Sequence, residues 1–394
     1  MHRTELDGIL SAMLDTHPGI SDLLFSVGRP FQVETYGELT DARIQPSLDK
    51  LTRYPTEQIA LNIIGDQRHL LRELVVKGAC DCSYALADRA RFRVNIFRQR
   101  GNFAIVMRKA QSEMPSIASL GLQPIFHEMA REKNGLILVT GATGSGKTTT
   151  LTAILNEINE QQAAHVVTLE DPIEFIHTHK RATFNQRELG ADFDSFPNGL
   201  RSALRQAPKV ILVGEMRDRA TVEIALTAAE TGHLVLSSIH TINAGQAINR
   251  ILGMFDLAEE TQLRLRLSET LRWVVSQRLT PKVGGGRMLI NEVMGSNLRT
   301  RESIMHGEQE GRTFYEIIEA NATFGWTTFD LSLLRAYQAR LISEETADLY
   351  ATSKAKMTRY IDNVKKELGL QNDQPTGLRL DPEAAALAAS LRLA

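Results

Sequence analysis

A glycine-rich segment near the middle of the chain has the spacing of a phosphate-binding loop. Residues 141–148 read GATGSGKT, which fits the pattern G-x-x-x-x-G-K-[ST]. Its glycines let backbone N–H groups point at phosphate oxygens, and the following helix N-terminus favours an anion. Lys147 is expected to neutralise β- and γ-phosphate oxygens, and the Thr148 hydroxyl to ligate Mg²⁺. The candidate phosphate-binding residues are Gly141, Thr143, Gly144, Ser145, Gly146, Lys147, Thr148 and Thr149.

A carboxylate follows a second apolar segment, 209–214, which is predicted to be a buried strand. Gly214 holds the last strand position and Glu215 comes next. Water that attacks a phosphoryl group must be oriented and must lose a proton, and a carboxylate in line can do both. We assign this task to Glu215; the alternative is an acid that only caps the next helix.

Further polar candidates lie at the ends of two other predicted strands. Glu170, Asp171 and Glu174 fall within five residues at the end of the predicted strand 165–170, and they could hold Mg²⁺ through water. Glu170 is the best candidate, whereas Asp171 and Glu174 either assist or brace the loop. His233 and His240 flank the strand 234–239, where an imidazole either donates to a γ-phosphate oxygen or is satisfied locally.

A basic band runs from residue 89 to residue 109 and contains no acidic residue. Its members are Arg89, Arg91, Arg93, Arg98, Arg100, Arg108 and Lys109. Strand alternation places Phe92, Val94 and Ile96 on one face and Arg91 and Arg93 on the other. The band could contact nucleic acid, remain a solvated strand face, or reach the nucleotide of a neighbouring subunit, where an arginine stabilises phosphoryl transfer.

Two patterns of predicted secondary structure along the chain indicate the domains that position these residues. Short strands and helices up to about residue 110 predict an α+β unit, and alternating strands and helices from residue 123 predict a mostly parallel sheet. A long helix is predicted at 263–278, a hairpin turn at 284–286 and helices within 297–366. The predicted divisions are a domain at 1–110, a linker at 111–122, a domain at 123–366 and a tail, predicted to be mobile, at 367–394.

Composition sets limits on the function. The chain has 394 residues with 45 Lys plus Arg and 47 Asp plus Glu, a net charge of −2, which disfavours a nucleic-acid-binding protein. No apolar segment approaches the roughly 18 residues that span a bilayer, and the start lacks a signal-peptide pattern. Cys80 and Cys82 suit neither a zinc site nor a disulfide framework. The expectation is a cytoplasmic protein that does not bind nucleic acid.

Four segments together resemble the type II/type IV secretion ATPase superfamily, and most closely its type IV pilus retraction ATPases, the PilT/PilU family. GATGSGKTTT at 141–150, VVTLEDPIEF at 166–175, VILVGEMRD at 210–218 and ETGHLVLSSIHT at 230–241 look like its Walker A, Asp, Walker B and His boxes, in the family's order. The resemblance extends from about residue 20 to about residue 345.

The resemblance implies an N-terminal PAS-like domain, a RecA-like P-loop ATPase domain and a homo-hexameric ring. It implies Mg²⁺-dependent ATP hydrolysis coupled to pilus retraction and twitching motility, at the cytoplasmic face of an inner-membrane platform protein. By position, Glu215 matches the catalytic glutamate, Glu170 the Asp-box acid and His240 the His-box phosphate contact. Arg93 and Arg108 match arginines that reach the nucleotide, whereas Arg91, Arg98 and Arg100 are not assigned.

Two alternatives remain open within this resemblance. One is a weakly hydrolysing accessory subunit that acts with a paralogous retraction ATPase, and the other is a secretion or pilus-assembly ATPase. Residues 207–209 read APK, where the family usually has acid-Pro-acid. The retraction signature at 299–308 keeps Arg301, Ile304 and Gly307 but has Met305 and His306 in place of Arg and Glu.

Overall fold

The structure is a computed structural model that describes residues 2–45, 49–87, 89–110 and 113–367. Two compact units divide it: residues up to Arg278 together with Asn291–Thr327 form the first, and Leu279–Ile290 with the described residues from Thr328 onward form the second. Within the first unit, one apolar cluster ends at Met107 and another begins at Ile117. The domain boundaries predicted from the sequence stay predictions, and the predicted tail lies outside the described residues except for Glu367.

The N-terminal part of the first unit is an antiparallel sheet with three helices. Its elements are α1 (Arg3–Leu14), β1 (Ile20–Ser26), β2 (Gln32–Thr35), β3 (Glu38–Asp41), α2 (Arg53–Ile64), α3 (Arg68–Lys77), β4 (Ala79–Leu86), β5 (Ala90–Gln99) and β6 (Asn102–Lys109). The strand order is β3-β2-β1-β6-β5-β4. Alternation along β5 buries Phe92, Val94 and Ile96 and leaves Arg93 exposed, as predicted. The α+β character is confirmed, and β3 is an additional strand.

The rest of the first unit is built around a seven-stranded sheet, of which residues 279–281 and 287–290 belong to the second unit. Its elements are α4 (Ile125–Arg131), β7 (Gly135–Gly141), α5 (Lys147–Gln161), β8 (His165–Glu170), β9 (Thr183–Glu188), α6 (Phe196–Ala203), β10 (Val210–Val213), α7 (Arg219–Glu230), β11 (Leu234–Ile239), α8 (Ala244–Leu252), α9 (Glu260–Thr270), β12 (Leu271–Pro281), β13 (Arg287–Gly295), α10 (Leu298–His306) and α11 (Phe314–Ala320), with 3₁₀ turns at Leu257–Glu259 and Ala322–Phe324. The order is β13-β12-β7-β11-β10-β8-β9. The pairs from β12 to β9 are parallel, so the predicted mostly parallel sheet is confirmed.

The predicted long helix at 263–278 is wrong. The helix ends at Thr270, and β12 begins at Leu271. Trp273, Val274 and Val275 pair in parallel with the interior strand β7. Aromatic and β-branched residues suit a pleated surface, and burial against β7 outweighs the apolar spacing that also fits a helix.

The second unit has its own small core. It contains α12 (Phe329–Gln338), α13 (Glu344–Tyr350) and α14 (Lys354–Glu367), so helices fill this segment as predicted. Phe329, Leu333 and Met357 are among its buried apolar residues. The predicted turn is present, since the Lys282 N–H donates to the Gly286 carbonyl oxygen. No helix in the described part of the chain is both long and apolar enough to cross a membrane.

Candidate active site

Parallel pairing brings the predicted site residues to one edge of the sheet. Strands β7, β11, β10 and β8 are consecutive neighbours, and their carboxyl ends lead into Gly141, His240, Glu215 and Glu170 respectively. The Gly214 N–H donates to the Leu169 carbonyl oxygen at 2.8 Å, which holds the two acid-bearing strand ends side by side. This edge is where open α/β sheets bind ligands.

The phosphate loop needs glycine for steric reasons. Gly141 has φ +151, and a Cβ there would lie 2.4 Å from Ser145 Oγ and 2.7 Å from the Gln277 carbonyl oxygen. Gly144 and Gly146 have φ +75 and +90, which favours residues without a Cβ. Ser145 Oγ is buried and has no hydrogen-bond partner among the described residues. The loop therefore holds a polar atom that a bound anion would satisfy.

Lys147 lies beside this loop rather than in solvent. Its side chain is buried, and Nζ donates to the carbonyl oxygens of Gly141 and Ala142, each at 3.0 Å. Burial lowers the pKa of Lys147. The Thr148 hydroxyl makes no hydrogen bond to the part of the chain that the structure describes, so it is available to a ligand.

His240 lies between Glu215 and Lys147. Its Nε2 is 3.2 Å from Glu215 Oε2, and its Nδ1 is 3.5 Å from Lys147 Nζ. Burial and the positive charges of Lys147 and Arg217 lower the pKa of His240, which favours a neutral imidazole. The structure thus joins Lys147 to Glu215 through one ring.

The helix-capping alternative for Glu215 is not observed. Asp218 caps α7, because its carboxylate accepts from the Thr221 N–H at 2.9 Å. Glu215 instead pairs with His240 and Arg217. His233, in contrast, is satisfied locally, with its Nδ1 3.0 Å from the Ala228 carbonyl oxygen.

Glu170 is held in one orientation. The Thr168 hydroxyl and the Gln186 amide donate to the same carboxylate oxygen, Oε1, at 2.6 and 3.1 Å. The residue is 6% exposed, and burial raises the pKa of Glu170 to about 7. Asp171 and Glu174 are exposed in the loop that follows.

The structure separates the arginines of the basic band by their partners. Arg93 and Arg108 are directly opposite on β5 and β6, and Arg108 Nε donates to the buried Asp22 at 2.9 Å. Arg91 Nη2 donates to the nearly buried Glu188 at 2.6 Å. The Arg93 side chain has no hydrogen-bonding partner in the described ranges, where none of these three arginine side chains makes a hydrogen bond or ion pair with the phosphate loop. Arg98 and Arg100 are exposed.

Arg93 lines a cavity of about 330 Å³ between the N-terminal sheet and the loop after β8. Asp171 and Glu188 lie on its other side. Sequence reasoning did not identify Glu188 or Gln186, because both lie on β9, a polar strand with no apolar alternation strong enough to mark it. Their place in the site becomes evident from the register of β8 and β9, which aligns Gln186 with Thr168 and Glu188 with Glu170.

His177, in the loop between β8 and β9, predicts a pH dependence of stability. Its ring stacks on Phe184 with centroids 4.3 Å apart, and burial lowers the pKa of His177 from 6.5 to about 4. The unfolded chain therefore binds one more proton than the native state between these pH values. We expect this to reduce the free energy of unfolding by about 3 kcal/mol as the pH falls from 6.5 to 4.

The measurement is denaturant unfolding of wild type and His177→Gln across that pH range. The variant should lose this part of the pH dependence, whatever its stability at neutral pH. The same substitution at the exposed His69 is the control. If the free energy of unfolding changed equally with pH in wild type and in His177→Gln, the buried His177 ring would not be neutral.

Comparisons with known proteins show the family of the chain. A family model described as type II/IV secretion system protein matches residues 83–322. The type IV pilus retraction ATPase PilT of Pseudomonas aeruginosa is 39% identical over 330 residues, which are 84% of this chain and 93% of that protein. The type IV pilus ATPase PilU of the same organism is 33% identical over 350 residues, 89% of each chain.

A solved structure of the pilus retraction motor PilT with bound ADP also matches. It is 37% identical, has a TM-score of 0.79, and the match covers 90% of this chain and 98% of that one. The predicted RecA-like ATPase fold is thereby confirmed. With more than half of the sequence matched by the family model and two relatives above 30% identity over most of their lengths, the chain belongs to the PilT/PilU branch of the type II/IV secretion ATPases.

Proposed function

We propose that this protein is an ATPase motor of type IV pilus retraction. The observation that carries the enzymatic part is the Lys147–His240–Glu215 contact, which links the phosphate loop to a carboxylate at the carboxyl edge of the sheet. The similarity to PilT over 84% of the chain supports the cellular role.

The residues present fit nucleotide with Mg²⁺. The unpartnered Ser145 hydroxyl and the cradle at Gly141 suit phosphate oxygens. The Thr148 hydroxyl and Glu170 offer the oxygen donors that Mg²⁺ prefers, and Glu170 would act through water. Mg²⁺, when bound, supplies charge neutralisation at the β- and γ-phosphates.

The chain's own residues divide the chemistry among them. Lys147 exchanges two loop carbonyls for phosphate oxygens, which its charge stabilises. Glu215 orients the attacking water and takes its proton. His240 is neutral and carries a single N–H, which it donates either to Glu215 or to the γ-phosphate, so that loss of the γ-phosphate returns this hydrogen bond to Glu215.

We further propose a homo-hexamer in which Arg93 and Arg108 reach the nucleotide of a neighbouring subunit. Support comes from their adjacent positions on β5 and β6, and from the absence of any hydrogen bond between either side chain and the phosphate loop among the described residues of one chain. A closed ring gives every pocket such a neighbour. The ring would act at the cytoplasmic face of the inner membrane on a platform protein, without nucleic acid.

The decisive experiment is deletion of the gene in the source organism. Loss of a retraction motor should leave long or abundant pili and abolish twitching, and both should return with wild type but not with Glu215→Gln. Fewer pili would contradict retraction and favour a pilus-assembly ATPase. Normal retraction by Glu215→Gln alongside an active paralogue would favour the accessory role, which the 89% coverage of PilU keeps as the second candidate.

A further inference from the structure

The amide of Gln186 occupies a central position between Glu170 and the loop that follows it. Its Nε2 donates to Glu170 Oε1 at 3.1 Å and to the Phe175 carbonyl oxygen at 2.8 Å. Its Oε1 accepts from the His177 N–H at 2.8 Å. Both amide hydrogens and the amide oxygen are therefore engaged, which fixes the side chain in one orientation.

The two donors to Glu170 act on one oxygen only. The Thr168 hydroxyl and the Gln186 amide both bind Oε1. Rotation of the carboxylate would break both bonds in a buried setting, where an unmade hydrogen bond costs about 1–3 kcal/mol. Oε2 is thus the oxygen presented to a ligand.

Parallel pairing makes this arrangement rigid. Gln186 is in register with Thr168, so the two donors stand on neighbouring strands at the same level. Two residues further along β9, and therefore on the same face, Glu188 accepts from the Ile173 N–H at 3.1 Å. Strand β9 consequently holds both the acid and the start of its loop.

We propose that Gln186 is a positioning residue that orients Glu170 so that a single carboxylate oxygen meets the hydrated Mg²⁺ of the nucleotide. The inference rests on the proposed function, because it assumes that Glu170 serves Mg²⁺ through water. Residues that orient groups of a metal site typically contribute about 10–100-fold to metal affinity or activity.

The test is Gln186→Met, which keeps the length of the side chain and removes the amide. Binding of a fluorescent ATP analogue is measured against Mg²⁺ concentration and in EDTA, together with steady-state hydrolysis. We expect the Mg²⁺ concentration for half-maximal binding to rise about tenfold, with unchanged affinity in EDTA and a lower kcat. Gln206→Met is the control, since Gln206 is also half-buried but its side chain bonds only Ser202 among the described residues.

A double-variant comparison separates positioning from general damage. If Gln186 acts through Glu170, then Gln186→Met should add little to the loss caused by Glu170→Gln. Additive losses, or an unchanged Mg²⁺ dependence, would overturn the proposal. Gln186→Asn, measured in the same way, replaces Gln186→Met if the latter does not fold.

Failure of the proposed function would look different. A wild-type protein that binds the analogue with Mg²⁺ but does not hydrolyse ATP would contradict the motor and leave the binding comparison intact. Analogue binding that is independent of Mg²⁺ in wild type would overturn the inference itself.

Discussion

Glu215→Gln should slow ATP hydrolysis by about 10²–10⁴-fold, the usual contribution of a general base, and leave ATP binding in place. Glutamine preserves the shape of the side chain and its contact with His240 Nε2, now 3.2 Å away, but it cannot take a proton from water. Lys147 and the loop glycines, which we propose hold the phosphates, are unaltered. The measurement is phosphate release under single-turnover conditions, with analogue binding measured in parallel.

Glu223→Gln is the matched control for this prediction. Glu223 is exposed on α7 and lies outside the cluster at the carboxyl edge of the sheet. It should hydrolyse ATP at the wild-type rate. Hydrolysis by Glu215→Gln within threefold of wild type would remove Glu215 from the role of base.

Arg93→Ala is expected to lower kcat by about 10³–10⁵-fold, the effect of an arginine supplied across an interface in phosphoryl transfer. The Arg93 side chain is exposed and makes no hydrogen bond to the residues described here, so its removal costs little folding stability. Arg89→Ala is the control, because Arg89 belongs to the same band but pairs with Asp15 at 2.6 Å. Hydrolysis by Arg93→Ala at the wild-type rate would reject the role.

Mixing two inactive variants tests whether the arginine acts between subunits. Lys147→Ala disables the pocket but keeps Arg93, whereas Arg93→Ala keeps the pocket. In a mixed ring, some interfaces join an intact pocket to an intact arginine, so activity should return. If both groups act within one chain, no mixture regains activity.

The phosphate loop could be predicted from the sequence because its chemistry is local. Eight consecutive residues supply the backbone curvature, the lysine and the hydroxyl, and the steric need for Gly141 follows from Ser145 four residues later. The acids after β8 and β10 could be predicted as well. Parallel strands place their carboxyl ends at one edge, so an apolar run that ends in Glu170 or Glu215 already indicates the position.

Strand β12 shows where such reasoning fails. Leu263, Leu267, Leu271 and Val274 continue a helical spacing, yet the chain becomes a strand at Leu271 because β7 offers a pairing edge. The polar strand β9 is the opposite case, since the sequence reasoning predicts no strand there. Nothing in its composition predicts a strand, and only its pairing with β8 places Gln186 beside Glu170.

The basic band has one feature that the sequence predicts and another that only the tertiary structure decides. Its residues are evident from the sequence, since seven cations and no acid lie between Arg89 and Lys109. Tertiary structure alone assigns Arg91 to Glu188 and Arg108 to Asp22, and leaves Arg93 without a partner among the described residues. Motifs whose atoms come from adjacent residues are thus fixed by the sequence itself. Partners that lie about a hundred residues apart are chosen by strand pairing and burial, which depend on the free energy of the whole fold.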